Sequence, residues 1–410
     1  NKIIDIKKYW DFKFNEPKIK LNKLEYIEEL RFLFKQAVKR QTVSDVELGC
    51  YLSGGIDSGS ITAVASNIYP NIKTFTCGFD TSSASGLELG FDERVNAEAM
   101  SAIFKTEQYE MVLKAGDMEN CLSNLSRHLE EPRVGQSYPN YYIAKLASKF
   151  VKVVLSGIGS DELFAGYPWR YFRPSYNQKF DDYVDNYYLY WQRLIDNKDV
   201  KKIFAPVWKD VKDVRTKDIF KNILLQHENS FEKPEDFINQ SLYFEAKTFL
   251  HGLLVIEDKI SMSFGLENRV PFLDNDLVDF AMSCPVSMKL KNFNPSVRIN
   301  ENQYGNKQNL YFQKTNDGKN ILRDVMNEIM PDHIIKGQKK GFSSPDASWF
   351  KGDSIDFVKS KLLNPKAKIY NVLDYKSTAK LIDEHLDGKQ KRRLLIWSLL
   401  NVDEWIYQTL

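Results

Sequence analysis

Hydrophobic positions follow two regimes along the chain. Between Tyr26 and about Tyr167, short apolar runs (ELGCYL 47–52, IKTFTCGF 72–79, EQYEMVL 107–113, VKVVLSG 151–157) alternate with stretches of helical spacing near 58–69, 92–105, 115–128 and 139–149. A further helix, YIEELRFLFKQAVKRQ (26–41), precedes them. Short apolar strands separated by helices of this length predict an α/β fold, an open parallel sheet with helices on both faces. Ligands of such sheets sit beyond the carboxyl ends of the strands. After about residue 175 the strand pattern fades into aromatic-rich amphipathic segments, with helices expected near 179–195, 235–262, 275–283, 318–329 and 392–407. The pattern therefore divides the chain into a charged, extended segment 1–25, an α/β core 26–175 and a mainly helical part 176–410. Within the first segment, KKYWDFKF (7–14) reads as a linker that docks through an aromatic cluster. TSSASGLELG (81–90) and the Asn/Gln-rich stretch 292–319 read as loops, and no internal repeat is present.

Composition narrows the function classes. A net charge of +2 over 410 residues offers no broad basic field for nucleic acid, so specificity must come from a local site. No apolar run approaches the ~20 residues that span a bilayer, and the first ten residues lack a signal-peptide pattern, so neither nucleic acid nor membrane is an expected partner. Cys50, Cys77, Cys121 and Cys284 show neither CxxC spacing nor a disulfide framework; they read as core thiols of a reducing, cytoplasmic setting. The five histidines have no ligand spacing for zinc. Position 1 is Asn rather than Met, which predicts that something precedes it.

Two loops carry the chemistry. Ser53-Gly54-Gly55-Ile56-Asp57-Ser58 directly follows an apolar strand and opens a helical run. Two glycines let the backbone turn tightly and approach an anion, the serines add hydroxyl donors, and the helix aims free N–H groups and its dipole at a phosphate. Asp57 would repel that phosphate unless a cation lay between them, which points to magnesium. A capped structural turn is the plain alternative. Leu155-Ser156-Gly157-Ile158-Gly159-Ser160-Asp161-Glu162 repeats the arrangement after another apolar strand. Parallel strands would bring both loops to one sheet edge, with Asp161 sharing the cation of Asp57. Two further groups, Asp258-Lys259-Ile260-Ser261-Met262 with Leu266-Glu267-Asn268-Arg269-Val270-Pro271-Phe272-Leu273-Asp274, and Lys336-Gly337-Gln338-Lys339-Lys340-Gly341-Phe342-Ser343-Ser344-Pro345, place charges in otherwise apolar surroundings.

Together these segments resemble the synthetase domain of asparagine synthetases, in the N-type ATP pyrophosphatase superfamily that also includes β-lactam synthetases. SGGIDS matches the pyrophosphate loop, FDERVNAEAM (91–100) the helix that follows, LSGIGSDELFAGY the second nucleotide loop, and LENRVPFLD and KKGFSSP the later signatures. The resemblance implies that Ser53, Gly54, Gly55, Asp57 and Ser58 hold ATP phosphates, and that Leu52, Cys77, Gly78, Ser156 and Gly157 line the adenosine side. It further implies that Asp57 and Asp161 hold Mg2+, and that Lys339 stabilises charge on the α-phosphate and departing pyrophosphate. The implied activity is a ligase reaction: ATP adenylates a carboxylate, aspartate or a related acid, pyrophosphate leaves, and ammonia or an amine displaces AMP. Residues 1–25 would then be the linker from an upstream glutaminase domain, with that domain or a separate subunit supplying ammonia. The oligomeric state stays open, a homodimer included.

One position departs from the family. Asparagine synthetases usually carry Glu where this chain has Ile158, and an aliphatic side chain can neither accept a proton nor orient a cation. Three accounts compete: Glu162 or Glu267 takes the proton, the acceptor is a different acid such as a sugar uronate or natural-product acid, or the amine is intramolecular as in β-lactam or macrolactam closure. An inactive nucleotide-binding subunit is the non-enzymatic alternative.

Overall fold

The computed structural model describes residues 7–84, 86–171, 179–227, 230–292, 317–337 and 344–409. Helix α1 (Lys23–Gln41) starts three residues before the expected position because Asn22 and Glu25 form a reciprocal capping box: Asn22 Oδ1 accepts from Glu25 N at 3.0 Å, and Glu25 Oε2 accepts from Asn22 N at 2.7 Å. Strands β1 (Leu48–Tyr51), β2 (Lys73–Phe79), β3 (Glu107–Leu113) and β4 (Val153–Leu155) fall where the apolar runs predict them. Between them lie α2 (Ile56–Ile68), α3 (Arg94–Phe104), α4 (Asp117–Leu129) and α5 (Tyr138–Ala147).

The sheet is wholly parallel, in the order β3-β2-β1-β4-β5. Its fifth strand, β5 (Glu267–Arg269), was expected only as a charged signature segment. Three polar residues carry no strand pattern; they pair because β4 leaves its edge open to them, with Val154 opposite Asn268. The chain winds outward from β1 to β3 and then returns to the other side of β1 with β4, so the topological switch point lies between β1 and β4. Strand alternation sends Cys50 and Leu155 into one buried cluster with Leu30, Phe34 and Ile61, while Phe75 and Val154 enter a second with Leu125, Ala144 and Trp397. The sheet thus carries a packed layer on each face.

The helical part holds one break that the sequence does not announce. The predicted helix 235–262 is observed as Pro234–Phe244, a π-helical turn Glu245–Leu250, and His251–Met262. A wider turn of this kind reorients side chains within one continuous helix. It turns the buried Glu245 inward, where Arg170 Nη1 lies 3.0 Å from Glu245 Oε2 and Tyr187 donates to Oε1 at 3.2 Å. Lys247, on the same turn, reaches Asp11 Oδ1 at 2.9 Å.

Asp11 belongs to the segment read as a docking linker. Phe14 is fully buried, Phe12 packs on the core, Trp10 meets Phe12 edge-on at 4.8 Å, and Tyr9 is fully exposed. Farther along, Glu16 Oε1 accepts from Val286 N at 2.8 Å. The Asn/Gln-rich stretch lies almost wholly outside the described residues. The four cysteines are free thiols. No helix among the described residues is long and apolar enough to cross a membrane.

Burial opposes ionisation of Asp11, yet hydrogen bonds from Lys8, Lys247 and Tyr243 outweigh it and lower the carboxyl to about 2. A carboxyl depressed in the folded state stabilises above its unfolded pKa and loses that contribution as pH falls toward the folded value. Asp11→Asn should therefore cost roughly 1–2 kcal/mol at pH 7 in urea unfolding, with the deficit shrinking as pH drops from about 4 toward 2. A deficit independent of pH would contradict this.

Candidate active site

The first loop joins β1 to α2. Ser53 N donates to Ser58 Oγ at 2.9 Å, the two serine hydroxyls lie 3.0 Å apart, and Gly55 N donates to Ser53 Oγ at 3.3 Å. Gly55 is the N-cap of α2 and offers no side-chain cap, which leaves the first N–H groups of that helix without a side-chain acceptor from the cap residue. Gly54 must be glycine for space: a Cβ there would meet Glu93 Cβ at 2.7 Å and Asn96 Cβ at 2.8 Å, at the start of α3.

The second loop follows β4 and enters the short helix α6 (Ser160–Leu163). It packs directly on the first. A Cβ at Gly157 would lie 3.0 Å from both Asp57 Cβ and Ser58 N, and Ser156 N is held by Arg269 O at 2.8 Å. The two loops are in contact at the switch point, as their positions after parallel strands predicted.

Asp57 and Asp161 stand together, and between them lies a side chain the sequence did not single out. Lys319 Nζ lies 2.5 Å from Asp161 Oδ1 and also bonds Asp57 Oδ1. The lysine is buried. Its backbone is left-handed at φ 58°, its N–H donates to Phe164 O at 3.1 Å, and the neighbouring Gly318 lies so near Ala165 O that a Cβ would approach to 2.3 Å. Gly166 completes the fit: a Cβ there would stand 1.8 Å from Asp161 Oδ1 and 2.4 Å from Lys319 Cε. The FAGY run of the second loop therefore exists partly to admit this lysine.

Arg323, one turn beyond Lys319, extends the cationic side. Burial lowers its guanidinium pKa, while the charges of Asp57 and Asp161 pull the other way. It donates to Gly318 O at 3.0 Å and Gly337 O at 3.1 Å and also holds Ile335 O. Gly337 is the last described residue before the segment containing Lys339. Lys339 itself lies outside the described residues, as does most of KKGFSSP. On the far flank, Glu88 accepts from Ala347 N at 3.0 Å and Ser348 N at 2.9 Å, and Tyr138 donates to Asp346 Oδ1 at 2.6 Å. Both flanks of the signature are thus tied down, one of them beside the two aspartates.

The remaining expected residues are placed as follows. Leu52 is buried at the end of β1, and Cys77 and Gly78 lie in β2. Gly78 faces Arg94, whose side chain would meet a Cβ at 2.3 Å. Burial pushes the Cys77 thiol pKa up, which suits a lining residue and not a nucleophile. Glu162 is buried, and burial together with the adjacent Asp161 raises its pKa; Tyr167 donates to Glu162 Oε1 at 3.0 Å. Arg170 lies over the Tyr167 ring at 3.7 Å, so Glu162 is joined through Tyr167 and Arg170 to Glu245 of the π-turn. Ile158 packs against the hydrophobic core. Glu267, the other carboxylate considered in its place, is exposed and paired with Arg269 at 2.7 Å.

In charge and convergence, Asp57 and Asp161 fit a divalent cation, since both already point at one cationic centre across the two loops.

Fold and site together are those of an open α/β sheet with two glycine loops joined by a shared cation at its switch point. The chain belongs to the asparagine synthase family: the family model described as "Asparagine synthase" matches residues 29–407. Among curated relatives, asparagine synthetase [glutamine-hydrolyzing] 1 of Bacillus subtilis is 26% identical over 96% of this chain and 61% of its own length. Asparagine synthetase [glutamine-hydrolyzing] 3 of the same organism is 24% identical over 93% of this chain and 58% of its own length. The amidase chyE of Penicillium rubens is 23% identical over 92% of this chain and 61% of its own length. The chain spans about three fifths of the length of these relatives.

Gly166→Ala should cost roughly 2–4 kcal/mol in equilibrium unfolding, because the Asp161 carboxylate it strikes is pinned by Lys319 and cannot swing away. Gly55→Ala, whose Cβ would meet nothing nearer than Ser53 Oγ at 3.5 Å, should cost less than about 1 kcal/mol. Equal costs would show that the packing around Lys319 is not tight.

Proposed function

We propose that this chain is the synthetase part of an ATP-dependent amide-forming enzyme, with aspartate or a related carboxylic acid as acceptor and ammonia as amine. The observation that carries this reading is the convergence of Asp57 and Asp161, from loops after β1 and β4, on one cationic centre beside an uncapped helix N-terminus. That is the charge pattern a polyphosphate with its metal requires. The names of the relatives support the same reaction class, and the words glutamine-hydrolyzing in two of them support ammonia delivered by a glutaminase domain or subunit. A cytoplasmic location is part of the same proposal.

In the proposed reaction a carboxylate oxygen attacks the α-phosphorus of ATP. The bond from that phosphorus to the β-phosphate oxygen breaks, and pyrophosphate leaves into the Ser53–Ser58 loop. Mg2+, held by Asp57 and Asp161, would neutralise phosphate charge. Lys319 supplies fixed positive charge where the leaving oxygen becomes anionic, and such a charge costs no reorganisation at the moment of reaction; Lys339 would add a second positive charge, as the family resemblance implies. Ammonia then attacks the acyl carbon, the carbon–oxygen bond to AMP breaks, and the nitrogen sheds a proton. Glu162, with its pKa raised by burial, is the carboxyl beside the cluster that can hold a proton near neutrality in place of the side chain missing at Ile158.

An isoleucine in place of the loop carboxylate favours one variation, in which the acceptor is a uronate or another natural-product acid in place of aspartate. AMP and pyrophosphate formation from ATP, measured with aspartate and a panel of acids, each with and without ammonium, separates the two. Turnover with aspartate and ammonium makes Ile158 neutral to acceptor choice; turnover only with another acid selects the variation. Absence of pyrophosphate release with every acid would overturn the proposal. Lys319→Met should lower kcat/KM for that release by about 10²–10³-fold, the scale of removing one preorganised charge from a transition state.

A further inference from the structure

A basic run, Lys389, Lys391, Arg392 and Arg393, stands between the last two long helices. Such runs are ordinarily solvated, each cation facing water or a surface carboxylate. Two of the four follow that rule: Lys389 pairs with Asp387 at 2.8 Å and Arg392 with Glu384 at 2.9 Å. Lys391 and Arg393 do not. Both are half-buried, and burial lowers the Lys391 ammonium pKa, opposed by Glu88 and reinforced by Arg393 and Lys351. Lys351, also half-buried, lies just after the short helix Asp346–Trp349. Neither Lys351 nor Lys391 has an ion-pair or side-chain hydrogen-bond partner among the described residues.

His385 lies beside them, fully buried on the helix Tyr375–Leu386. Burial, together with the charges of Lys351, Lys391 and Arg393, holds its imidazole down at about 4 against the contact with Gln390 O. The ring is therefore neutral at pH 7 and carries one proton. Arg392 N donates to Nδ1 at 3.0 Å, and the Gln390 O contact of the same nitrogen is longer, at 3.3 Å. A backbone N–H keeps its proton, so Nδ1 is the acceptor and Nε2 bears the hydrogen. Nε2 is enclosed and completes no hydrogen bond. A buried N–H without an acceptor, among three cations, calls for an anion.

Two carboxyl groups bear on the cluster, and both are engaged elsewhere. Glu88 accepts from Ala347 N, Ser348 N and Ser348 Oγ, and Asp346 accepts from Tyr138 and Gln136. Three cations against these two leave an excess of positive charge. Ammonium, guanidinium and imidazole donors from separate stretches of chain suit the tetrahedral oxygens of a phosphoryl group better than a planar carboxylate.

We propose that Lys351, His385, Lys391 and Arg393 form a binding site for a phosphoryl anion, apart from the two glycine loops. Its place is past the carboxyl end of β2: Glu88 belongs to the turn Gly86–Gly90 after that strand, and Trp349 packs on Phe79 with ring centroids 6.5 Å apart. Arg393 Nη1 also lies 3.4 Å from Ser344 O, so an occupant bears on the flank of the segment that holds Lys339. The same chemistry has two sources, a phosphoryl group carried by the acceptor acid or free inorganic phosphate.

Thermal unfolding of the whole chain, in sodium phosphate and in sodium chloride of matched ionic strength at pH 7, needs no turnover. Phosphate at about ten times its Kd should raise the wild-type Tm by roughly 2 °C over chloride. The double variant Lys351→Met/Lys391→Met should lose most of that difference, and Lys391→Arg, which keeps the charge, should retain it. Ser58→Ala in the first loop should retain it too. A response unchanged in the double variant, or removed by Ser58→Ala, would place the anion in the glycine loops and overturn the proposal, as would no response in the wild type. The AMP-forming assay separates the sources. If the acceptor carries the group, Lys391→Met raises KM for the acid about tenfold with kcat kept. If the anion is free, the variant leaves that KM alone and abolishes the effect of added phosphate on the rate. Absence of AMP formation with every acid, with the phosphate-specific Tm shift intact, would refute the adenylation reading and spare the site.

Discussion

The structure turns on one buried ammonium group between two carboxylates. Lys319 bridges Asp57 and Asp161, which stand on separate loops at the ends of β1 and β4. Removing either kind of partner would leave an uncompensated charge inside the protein, typically a loss of 3–5 kcal/mol. The glycines around it are there to allow the approach: Gly157 lets the second loop lie on Asp57, Gly166 makes room for Lys319, and Gly318 lets the lysine's own backbone close on Ala165. A single electrostatic contact thus fixes the distance between two glycine loops that the sheet alone would only place side by side.

From this centre, buried contacts reach outward in two directions. Arg323 links the lysine's helix to Ile335 and Gly337, at the threshold of the segment with Lys339. Tyr167 and Arg170 link Glu162 to Glu245 in the π-turn, whose Lys247 in turn holds Asp11 of the N-terminal segment. The helical part is therefore more than a cover over the sheet. It supplies the lysine that joins the loops and a chain of paired charges that supports the second loop from behind.

Much of the α/β core was legible in the sequence. Apolar runs at 47–52, 72–79, 107–113 and 151–157 announced four strands, and the glycine loops after the first and last of them announced the switch point. That Asp57 and Asp161 meet could be argued from parallel topology alone. The lysine between them could not: Lys319 lies 262 positions from Asp57, and a lone lysine after an Asn/Gln-rich stretch has no local pattern. Strand β5 escaped because Glu267-Asn268-Arg269 is polar and pairs only through an edge offered by β4. The π-turn escaped because a change from i+4 to i+5 bonding leaves the apolar period of the helix 234–262 nearly intact.

The central claim is that the two loops position ATP for attack by a carboxylate at the α-phosphorus. It is tested most directly with an acceptor acid labelled with oxygen-18 in its carboxylate, incubated with ATP, magnesium and ammonium, followed by mass analysis of the nucleotide product. The account predicts AMP that carries one labelled oxygen, transferred from the acid when its amide forms. Unlabelled AMP, or ADP and phosphate as products, would contradict it.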